Sequence, residues 1–188
     1  MSKDENADAQ TKGSMLIDFV RIVRANRDKN WEKWLTPADL EIVNGKVLPS
    51  TWYPYEFFRR IAFAVFKEIA GGNLVTAQQF GRFQMRGLLP IYKNVLRPGD
   101  PGASVKTLAA LYRTFIRGAF ETRIGEQEER SLTFEIEAAV EEDEERLLPF
   151  VYQVSGYLLE VAEQAGGKNP EVEIKGQGHQ HQIHLRWQ

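Results

Sequence analysis

The hydrophobic period of this sequence changes near residue 120 from helical spacing to strict alternation. Residues 131–138 alternate apolar and polar side chains, which predicts a half-buried strand paired with residues 120–125 in an antiparallel hairpin. A long apolar helix over residues 143–165 and a second hairpin over residues 171–188 follow. These elements predict an α+β fold in which a helical layer packs on a four-stranded antiparallel sheet made of two hairpins.

Helical spacing of apolar residues covers most of the chain before that change. It predicts helices over residues 14–26, 51–70, 73–96 and 104–118, with Pro90 as a kink in the third. Residues 36–39 form a turn or the start of a further helical turn. Residues 1–13 are polar and lack periodicity, which predicts a disordered leader and leaves residues 14–188 as a single ligand-binding or interaction domain.

The 188 residues include no cysteine. Disulfides, thiolate zinc sites, iron–sulfur clusters and a cysteine nucleophile are therefore excluded, and a reducing cytoplasmic location is expected. No apolar run approaches the ~18 residues of a membrane span, and the polar first residues predict no signal peptide. Phosphate-binding glycine loops and the G-x-S-x-G nucleophile turn do not occur. We therefore expect a protein that is not an enzyme and needs no cofactor.

Four basic residues are spaced so that they share one face of the helix predicted over residues 73–96. At the helical rotation per residue they fall within a wedge of about 60°; they are Arg82, Arg86, Lys93 and Arg97. One hypothesis is that this basic ridge binds nucleic acid or another acidic partner. The net charge of −2 and the lack of a recognisable nucleic-acid module disfavour nucleic acid. A solvated face or a protein interface is the alternative.

Two phenylalanines depart from the polar stripes of these helices. Phe63 lies within the polar stripe of the helix over residues 51–70, and Phe83 lies beside the basic ridge. Exposed aromatic side chains favour protein contacts. We expect a homodimer, or contact with a protein partner, through an interface formed by Phe63, Phe83, Arg82 and Arg86. For Phe63 the alternative is a second packing surface within the chain.

The helix predicted over residues 143–165 is apolar around most of its circumference. Such a helix is normally buried, and the aromatic and aliphatic side chains around it could enclose an apolar small molecule. They could equally fill a close-packed core. The candidate ligand-binding residues are Phe57, Ile61, Phe80, Leu88, Tyr92, Val151, Tyr157 and Leu158.

All three histidines lie in the last predicted hairpin. In an extended strand, His179 and His181 point to one face and His184 to the other. Two histidines without a third ligand make a weak metal site. We therefore expect no bound metal, although metal binding by His179 and His181 stays open.

Short motifs distributed over most of the chain after residue 15 carry a family resemblance. They are Trp52-Tyr53-Pro54 followed by Phe57 and Phe58, Gln79-Phe80-Gly81-Arg82, Gly156-Tyr157-Leu158, Lys175-Gly176-Gln177-Gly178, and Ile183-His184-Leu185-Arg186-Trp187. With the order of elements, they resemble the superfamily of 4-vinyl-reductase or hydrocarbon-binding domains, haem nitric-oxide-binding domains and TRAPP vesicle-transport subunits. More narrowly, the chain is similar to an uncharacterised family abundant in myxobacteria.

The resemblance implies a scaffold that either encloses an apolar ligand or serves as a dimerising interaction surface in signalling. Hydrocarbon-binding domains often hold zinc with paired cysteines, and this chain has Ile174 and His181 where those would align. The haem-binding relatives carry a histidine in the helical body, whereas every histidine here lies in the last hairpin. The resemblance therefore implies neither that zinc site nor haem ligated in the family manner.

Overall fold

The structure, a computed structural model, describes residues 9–139 and 143–188. Its contacts divide the chain into two compact units. Unit 1 comprises Met1–Asn73 with Thr114–Ala119, and unit 2 comprises Leu74–Arg113 with Phe120–Gln188. No helix within the described ranges is long and apolar enough to cross a membrane. The assignment of residues 14–188 to a single domain stays a prediction.

Unit 1 combines three helices with a small antiparallel sheet. The helices are α1 (Gly13–Ala25), α2 (Pro37–Asn44) and α3 (Tyr55–Glu68), with a 3-10 turn at Trp31–Lys33. The strands are β1 (Gln10–Lys12), β2 (Trp52–Pro54) and β3 (Ile116–Arg117), in the order β2-β1-β3. The side chain of Thr36 accepts a hydrogen bond from the Asp39 N–H and so caps α2, which decides between the two alternatives for residues 36–39 in favour of a helix.

Strand β1 lies inside the segment that the sequence predicts to be a disordered leader. Thr11 is fully buried, Lys12 N–H donates to the Phe115 carbonyl at 2.8 Å, and Tyr55 N–H donates to the Ala9 carbonyl at 2.9 Å. Three residues are too few to show an alternation, and the partners of this strand are distant in sequence. The leader prediction is wrong for residues 10–13, while residues 1–8 lie outside the described ranges.

Phe63 of α3 is buried, with 8% of its surface exposed, so the prediction that it forms an exposed interface is wrong. Its ring meets that of Trp34 edge to face with centroids 5.5 Å apart. The Trp34 indole N–H donates to the Glu68 carboxylate at 2.8 Å, which fixes the indole on α3. The second apolar face of α3 is therefore covered by a segment of unit 1 itself.

Unit 2 contains the four-stranded sheet and three helices. The helices are α4 (Leu74–Leu88), α5 (Pro101–Tyr112) and α6 (Glu144–Gln164), with a 3-10 turn at Lys93–Val95. The strands are β4 (Phe120–Glu128), β5 (Ser131–Ala138), β6 (Glu171–Gln177) and β7 (Gln180–Arg186). All pairs are antiparallel in the order β4-β5-β7-β6, so the two predicted hairpins join through β5 and β7. The predicted α+β fold class is confirmed.

Helix α4 ends at Leu88. The sequence pattern predicts instead that this helix continues to residue 96, and that prediction is wrong. Pro90 has no backbone N–H and disfavours a helical residue before it, so here it ends the helix instead of kinking it. Residues 89–92 form a turn that leads into the 3-10 turn. Helix α5 likewise begins earlier and ends earlier than predicted, because Asp100 caps its first turn and β3 follows it.

Helices α4 and α6 cross at two glycines. A Cβ atom on Gly81 would overlap the carbonyl oxygen of Gln153, and one on Gly156 would overlap the carbonyl oxygen of Gln78. The two backbones therefore come into direct contact, which no other residue type allows at these positions. Close to this crossing, the Gln78 side-chain amide donates to the Ser155 hydroxyl at 2.8 Å.

A buried polar cluster links the same two helices. Gln153 Nε2 donates to Tyr157 Oη at 2.7 Å, and the Tyr157 hydroxyl donates to Gln84 Oε1 at 2.8 Å. Gln153 Nε2 also donates to Gln84 Oε1, which closes the triangle. A buried cluster of hydrogen-bonded side chains favours one arrangement of the two helices, because a slip of one helix would break these bonds in the core.

Candidate functional site

A buried carboxylate on α6 holds two arginines of α4. Glu160 has no exposed surface and accepts hydrogen bonds from Arg82 Nε at 3.3 Å and Arg86 Nε at 3.0 Å. Arg82 also pairs with Glu163. Burial alone would raise the pKa of Glu160, but hydrogen bonds led by that from Arg86 outweigh burial and hold this pKa below its ordinary value. The carboxylate is therefore ionised at neutral pH and fixes both guanidinium groups.

The predicted basic ridge does not run along one helix. Arg82 and Arg86 lie on α4, whereas Lys93 lies in the 3-10 turn and Arg97 lies in the loop beyond it. The charges of the first two are compensated by the carboxylates of α6. The ridge prediction is wrong because it continues the helical spacing past Pro90, and the structure gives no support to nucleic-acid or acidic-partner binding along it.

An open groove of about 420 Å³ lies in unit 2 beside the end of α4. It is lined by Arg86, Leu89, Pro90, Lys93, Leu96 and Gln164. The groove lies where α4 ends, two residues before Pro90, and where α6 ends at Gln164. Its volume lies within the range of about 300–1,000 Å³ that is typical of small-molecule sites.

The groove combines an apolar wall with a single uncompensated cation. Leu89 is buried and Leu96 is half-buried, while Ile91 beside them in sequence is 71% exposed. The Arg86 guanidinium is paired with the buried carboxylate of α6. Lys93, by contrast, forms no ion pair with any residue of the described ranges. This arrangement can bind an amphiphile through its charge and its hydrocarbon surface at once.

Helix α4 presents an exposed aromatic face on the side away from α6. Phe83 lies about 160° around the helix from Gly81, which contacts α6. Phe83 is 61% exposed and Val75 is 60% exposed. The rings of Phe80 and Phe83 stack with centroids 6.3 Å apart. Phe83 thus has the exposure that the predicted interface requires, and its role in an interface stays a prediction.

The predicted ligand-binding residues are distributed over both units. Phe57 and Ile61 are buried in unit 1, at 1% and 0% exposure. In unit 2, Tyr157 belongs to the polar cluster described above and the other five are buried or half-buried: Val151, Leu158, Phe80, Leu88 and Tyr92. That these residues enclose one apolar ligand stays a prediction.

The groove residues are sequence neighbours of two of those candidates. A helical period extended past Pro90 places Leu88 and Tyr92 on the inner face, whereas Leu89 and Lys93 line the groove. The signal that could have located them is Pro90, since a proline inside a helical pattern more often ends the helix than bends it.

The three histidines occupy separate environments. His181 is buried on the inner face of β7, opposite Ile136 of β5, and neither ring nitrogen has a hydrogen-bond partner within the described ranges. His184 is on the outer face, with Nδ1 3.1 Å from Thr133 Oγ1, and His179 lies in the turn before β7. No group of three or more His, Cys, Asp or Glu side chains within residues 9–139 and 143–188 is arranged to hold a metal ion.

No family model and no curated protein matches this chain. Several solved structures do. An H-NOX protein from S. oneidensis in the Fe(II)NO ligation state is 12% identical with a TM-score of 0.62, and the match covers 94% of this chain and 99% of that chain. A variant of the unliganded Fe(II) H-NOX protein from K. algicida is 17% identical with a TM-score of 0.62, and the match covers 94% of this chain and 96% of that chain. A variant of the T. tengcongensis H-NOX protein is 13% identical with a TM-score of 0.58, and the match covers 94% of this chain and 97% of that chain.

The chain has the fold of an H-NOX domain. At these identities the likeness concerns the fold and not the chemistry, because unrelated functions share folds. Of the superfamily named from the sequence motifs, the haem nitric-oxide-binding branch is confirmed as a structural neighbour. The hydrocarbon-binding and TRAPP branches and the myxobacterial family stay predictions.

Proposed function

We propose that this chain is a non-enzymatic small-molecule-binding domain that serves in signalling. The groove beside the end of α4 carries the proposal, because a ligand-sized volume, an apolar wall and an uncompensated cation coincide there. The H-NOX fold is consistent with a ligand-binding role, since a solved neighbour is described in its Fe(II)NO ligation state. Arg86 lines the groove and is fixed to α6, so that a ligand at the groove also acts on the contact between α4 and α6.

Haem held by a histidine does not fit the residues of this chain. All three histidines lie in β7 or the turn before it, and none lies in a helix. Tyr112 offers a buried hydroxyl that has no hydrogen-bond partner among the described residues, but burial raises the pKa of this phenol well above its ordinary value, so it keeps its proton. A protonated phenol is a poor ligand for iron. The proposed ligand is therefore not haem.

A threonine and a histidine meet on the outer face of the four-stranded sheet. Thr133 and His184 lie at hydrogen-bond distance, as a nucleophile and its base do. A catalytic triad would also need a carboxylate to orient the imidazole. The neighbouring Glu173 is instead paired with Lys175 at 3.0 Å and Arg186 at 3.5 Å, so its charge is already compensated. Within the described residues, His184 has no hydrogen bond to a carboxylate, so the pair lacks the group that orients a catalytic base.

Native mass spectrometry and thermal-shift measurements with a set of small amphiphiles test the ligand-binding proposal. Leu96→Asp places a carboxylate in the apolar wall of the groove, and we expect it to abolish binding. Val75→Asp makes a similar change at an exposed position of α4 outside the groove, and we expect it to bind like the wild type. Circular dichroism confirms that both variants fold. Equal binding by Leu96→Asp and the wild type would show that the groove is not the site.

A second candidate function is self-association through the aromatic face of α4. The exposed Phe83 ring, stacked on Phe80, favours it. A second copy of this chain is the occupant that we propose for this face. Because Glu160 and Glu163 compensate the arginines of α4, two such faces can approach without the repulsion that an unpaired basic ridge would cause.

Sedimentation velocity at micromolar concentration tests the homodimer. Phe83→Asp is expected to give a monomer, because it removes the exposed aromatic ring and brings two like charges together in the interface. Leu48→Asp alters another exposed apolar side chain, which lies in unit 1, and is expected to leave the dimer intact. A wild-type protein that is monomeric over the whole concentration range rejects this candidate without affecting the ligand-binding proposal.

A further inference from the structure

We propose that the groove beside the end of α4 binds a free single-chain carboxylate, such as a fatty acid, with its carboxylate at Lys93 and its hydrocarbon chain along Leu89, Pro90 and Leu96. The inference rests on the proposed small-molecule function and names the ligand class. It is carried by the charge of the groove, its apolar wall and the exposed isoleucine beside it.

The charge of the groove fits a monoanion. Arg82 and Arg86 face Glu160 and Glu163, so these four charges cancel. Among the residues that line the groove, Lys93 is the one cation without an ion pair to the described residues. A single ammonium group at an apolar groove attracts one negative charge. A dianion or polyanion would find no second free cation in the lining.

The apolar wall fits a hydrocarbon chain and not a small polar anion. Leu89 is 6% exposed, so its side chain is packed against the protein and forms a fixed part of the wall. Ile91 is 71% exposed beside the groove residue Pro90. Water in contact with this apolar surface is unfavourable, and a chain lying in the groove would cover part of it. A flat membrane surface cannot enter a concave site in the same way, so we assign a free ligand.

Isothermal titration calorimetry with dodecanoate below its micelle concentration tests the assignment. At low ionic strength we expect one site per chain. Dodecanol, with the same chain and no charge, is expected to bind about threefold to tenfold more weakly, because it lacks the charge-assisted contact with Lys93. Dodecylamine, which reverses the charge, is expected to bind more weakly still. Raised salt should reduce the advantage of dodecanoate over dodecanol.

Lys93→Gln provides a readout that a folding defect cannot imitate. It is expected to weaken dodecanoate binding about threefold to tenfold and to leave dodecanol binding unchanged. Lys106→Gln, the matched control, removes an exposed lysine of α5 that does not line the groove. We expect this control to bind both compounds like the wild type.

The outcomes separate the ligand class from the proposed function. Equal affinities for dodecanoate and dodecanol, or an unchanged dodecanoate affinity in Lys93→Gln, overturn the carboxylate assignment. Binding to phosphatidylserine vesicles without binding to monomeric dodecanoate also overturns it. If another amphiphile binds and Leu96→Asp abolishes that binding, the proposed function stands and only the fatty-acid class fails. If no small molecule binds at the groove, both proposals fail.

Discussion

His181 is a buried ionisable side chain that lacks a hydrogen-bond partner within the described ranges. Burial lowers its pKa, while the charge of Glu144 acts in the opposite direction. An unfolded histidine takes up a proton near pH 6.5, whereas folded His181 does so only at a lower pH. The unfolded state therefore binds more protons as the pH falls below 6.5, and the free energy of unfolding decreases in that range.

Replacing His181 with leucine is expected to remove this pH dependence. It should also raise the free energy of unfolding at neutral pH by about 1 kcal/mol, because a buried polar group without a partner costs about 1–3 kcal/mol. Ile136 lies opposite this position on β5 and gives the leucine an apolar neighbour. Urea denaturation between about pH 5 and pH 7 measures the effect. His179→Leu, in an exposed turn, should keep the wild-type dependence of the free energy of unfolding on pH. The same pH dependence in His181→Leu would show that His181 is not its source.

Glu160 is the residue whose removal should most weaken the contact between α4 and α6. Glu160→Gln leaves Arg82 and Arg86 without their shared buried carboxylate. We expect a loss of about 3 kcal/mol in the free energy of unfolding, at the low end for a broken buried pair, since Arg86 is 63% exposed and can reach water. Glu163→Gln, at a half-exposed carboxylate of the same helix, should cost less than about 1 kcal/mol.

The stability effect of Glu160→Gln should also depend on pH. The folded pKa of Glu160 lies below its ordinary value of 4.5, so this carboxylate stabilises the protein above pH 4.5 and loses that effect as the pH falls through the folded pKa. The difference in stability between the wild type and Glu160→Gln should therefore shrink on acidification. Chemical denaturation at neutral and acid pH measures it. A difference that is independent of pH would mean that Glu160 acts through packing and not through its charge.

At the scale of elements, the crossing of α4 and α6 depends on glycine. A Cβ atom at Gly81 or Gly156 would lie well under 3.0 Å from a carbonyl oxygen of the other helix. Gly81→Ala and Gly156→Ala are each expected to destabilise the protein by about 3 kcal/mol or more, because the helices must separate and the buried polar cluster must break. Thermal and urea denaturation measure the loss.

Gly87→Ala is the matched control on the same helix. Gly87 is exposed, and a Cβ atom there meets nothing within 4 Å. The substitution should stabilise α4 by up to about 1 kcal/mol, since alanine has the higher helix propensity. Opposite signs for Gly81→Ala and Gly87→Ala would locate the effect in the helix crossing. Equal losses of stability in both variants would instead show that α4 does not tolerate alanine in place of glycine at either position.

Periodicity predicts the elements that are long and locally patterned. The helix over residues 143–165 and both hairpins lie where the sequence places them, because each carries enough apolar positions to reveal its period. The three-stranded sheet of unit 1 escapes prediction, since two or three residues per strand show no period and their partners are distant in sequence. The groove escapes prediction for a different reason. Four of its lining residues follow the end of α4 at Leu88, and the sequence alone does not decide whether Pro90 kinks this helix or ends it.

At the scale of the whole molecule, the fold is shared with H-NOX proteins at 12–17% identity in the two structures with the higher TM-scores reported above. Folds tolerate such divergence because they depend on the pattern of apolar positions more than on particular residues. Ligand chemistry does not tolerate it in the same way, since a metal or cofactor needs specific donor atoms. The donor atoms of this chain, and not its fold, should therefore decide what it binds.

Haem binding provides the test at this scale. With its histidines confined to the last hairpin, the protein mixed with one equivalent of ferric haem is expected to show the absorption spectrum of free haem. Nitric oxide added after reduction should give no protein-dependent change. The S. oneidensis H-NOX protein serves as the positive control. A stoichiometric complex with a sharp Soret band that is lost in His181→Leu would contradict the expectation, because it would identify the buried histidine of β7 as an iron ligand. A band that persists in that variant would point instead to Tyr112, and Tyr112→Phe would then remove it.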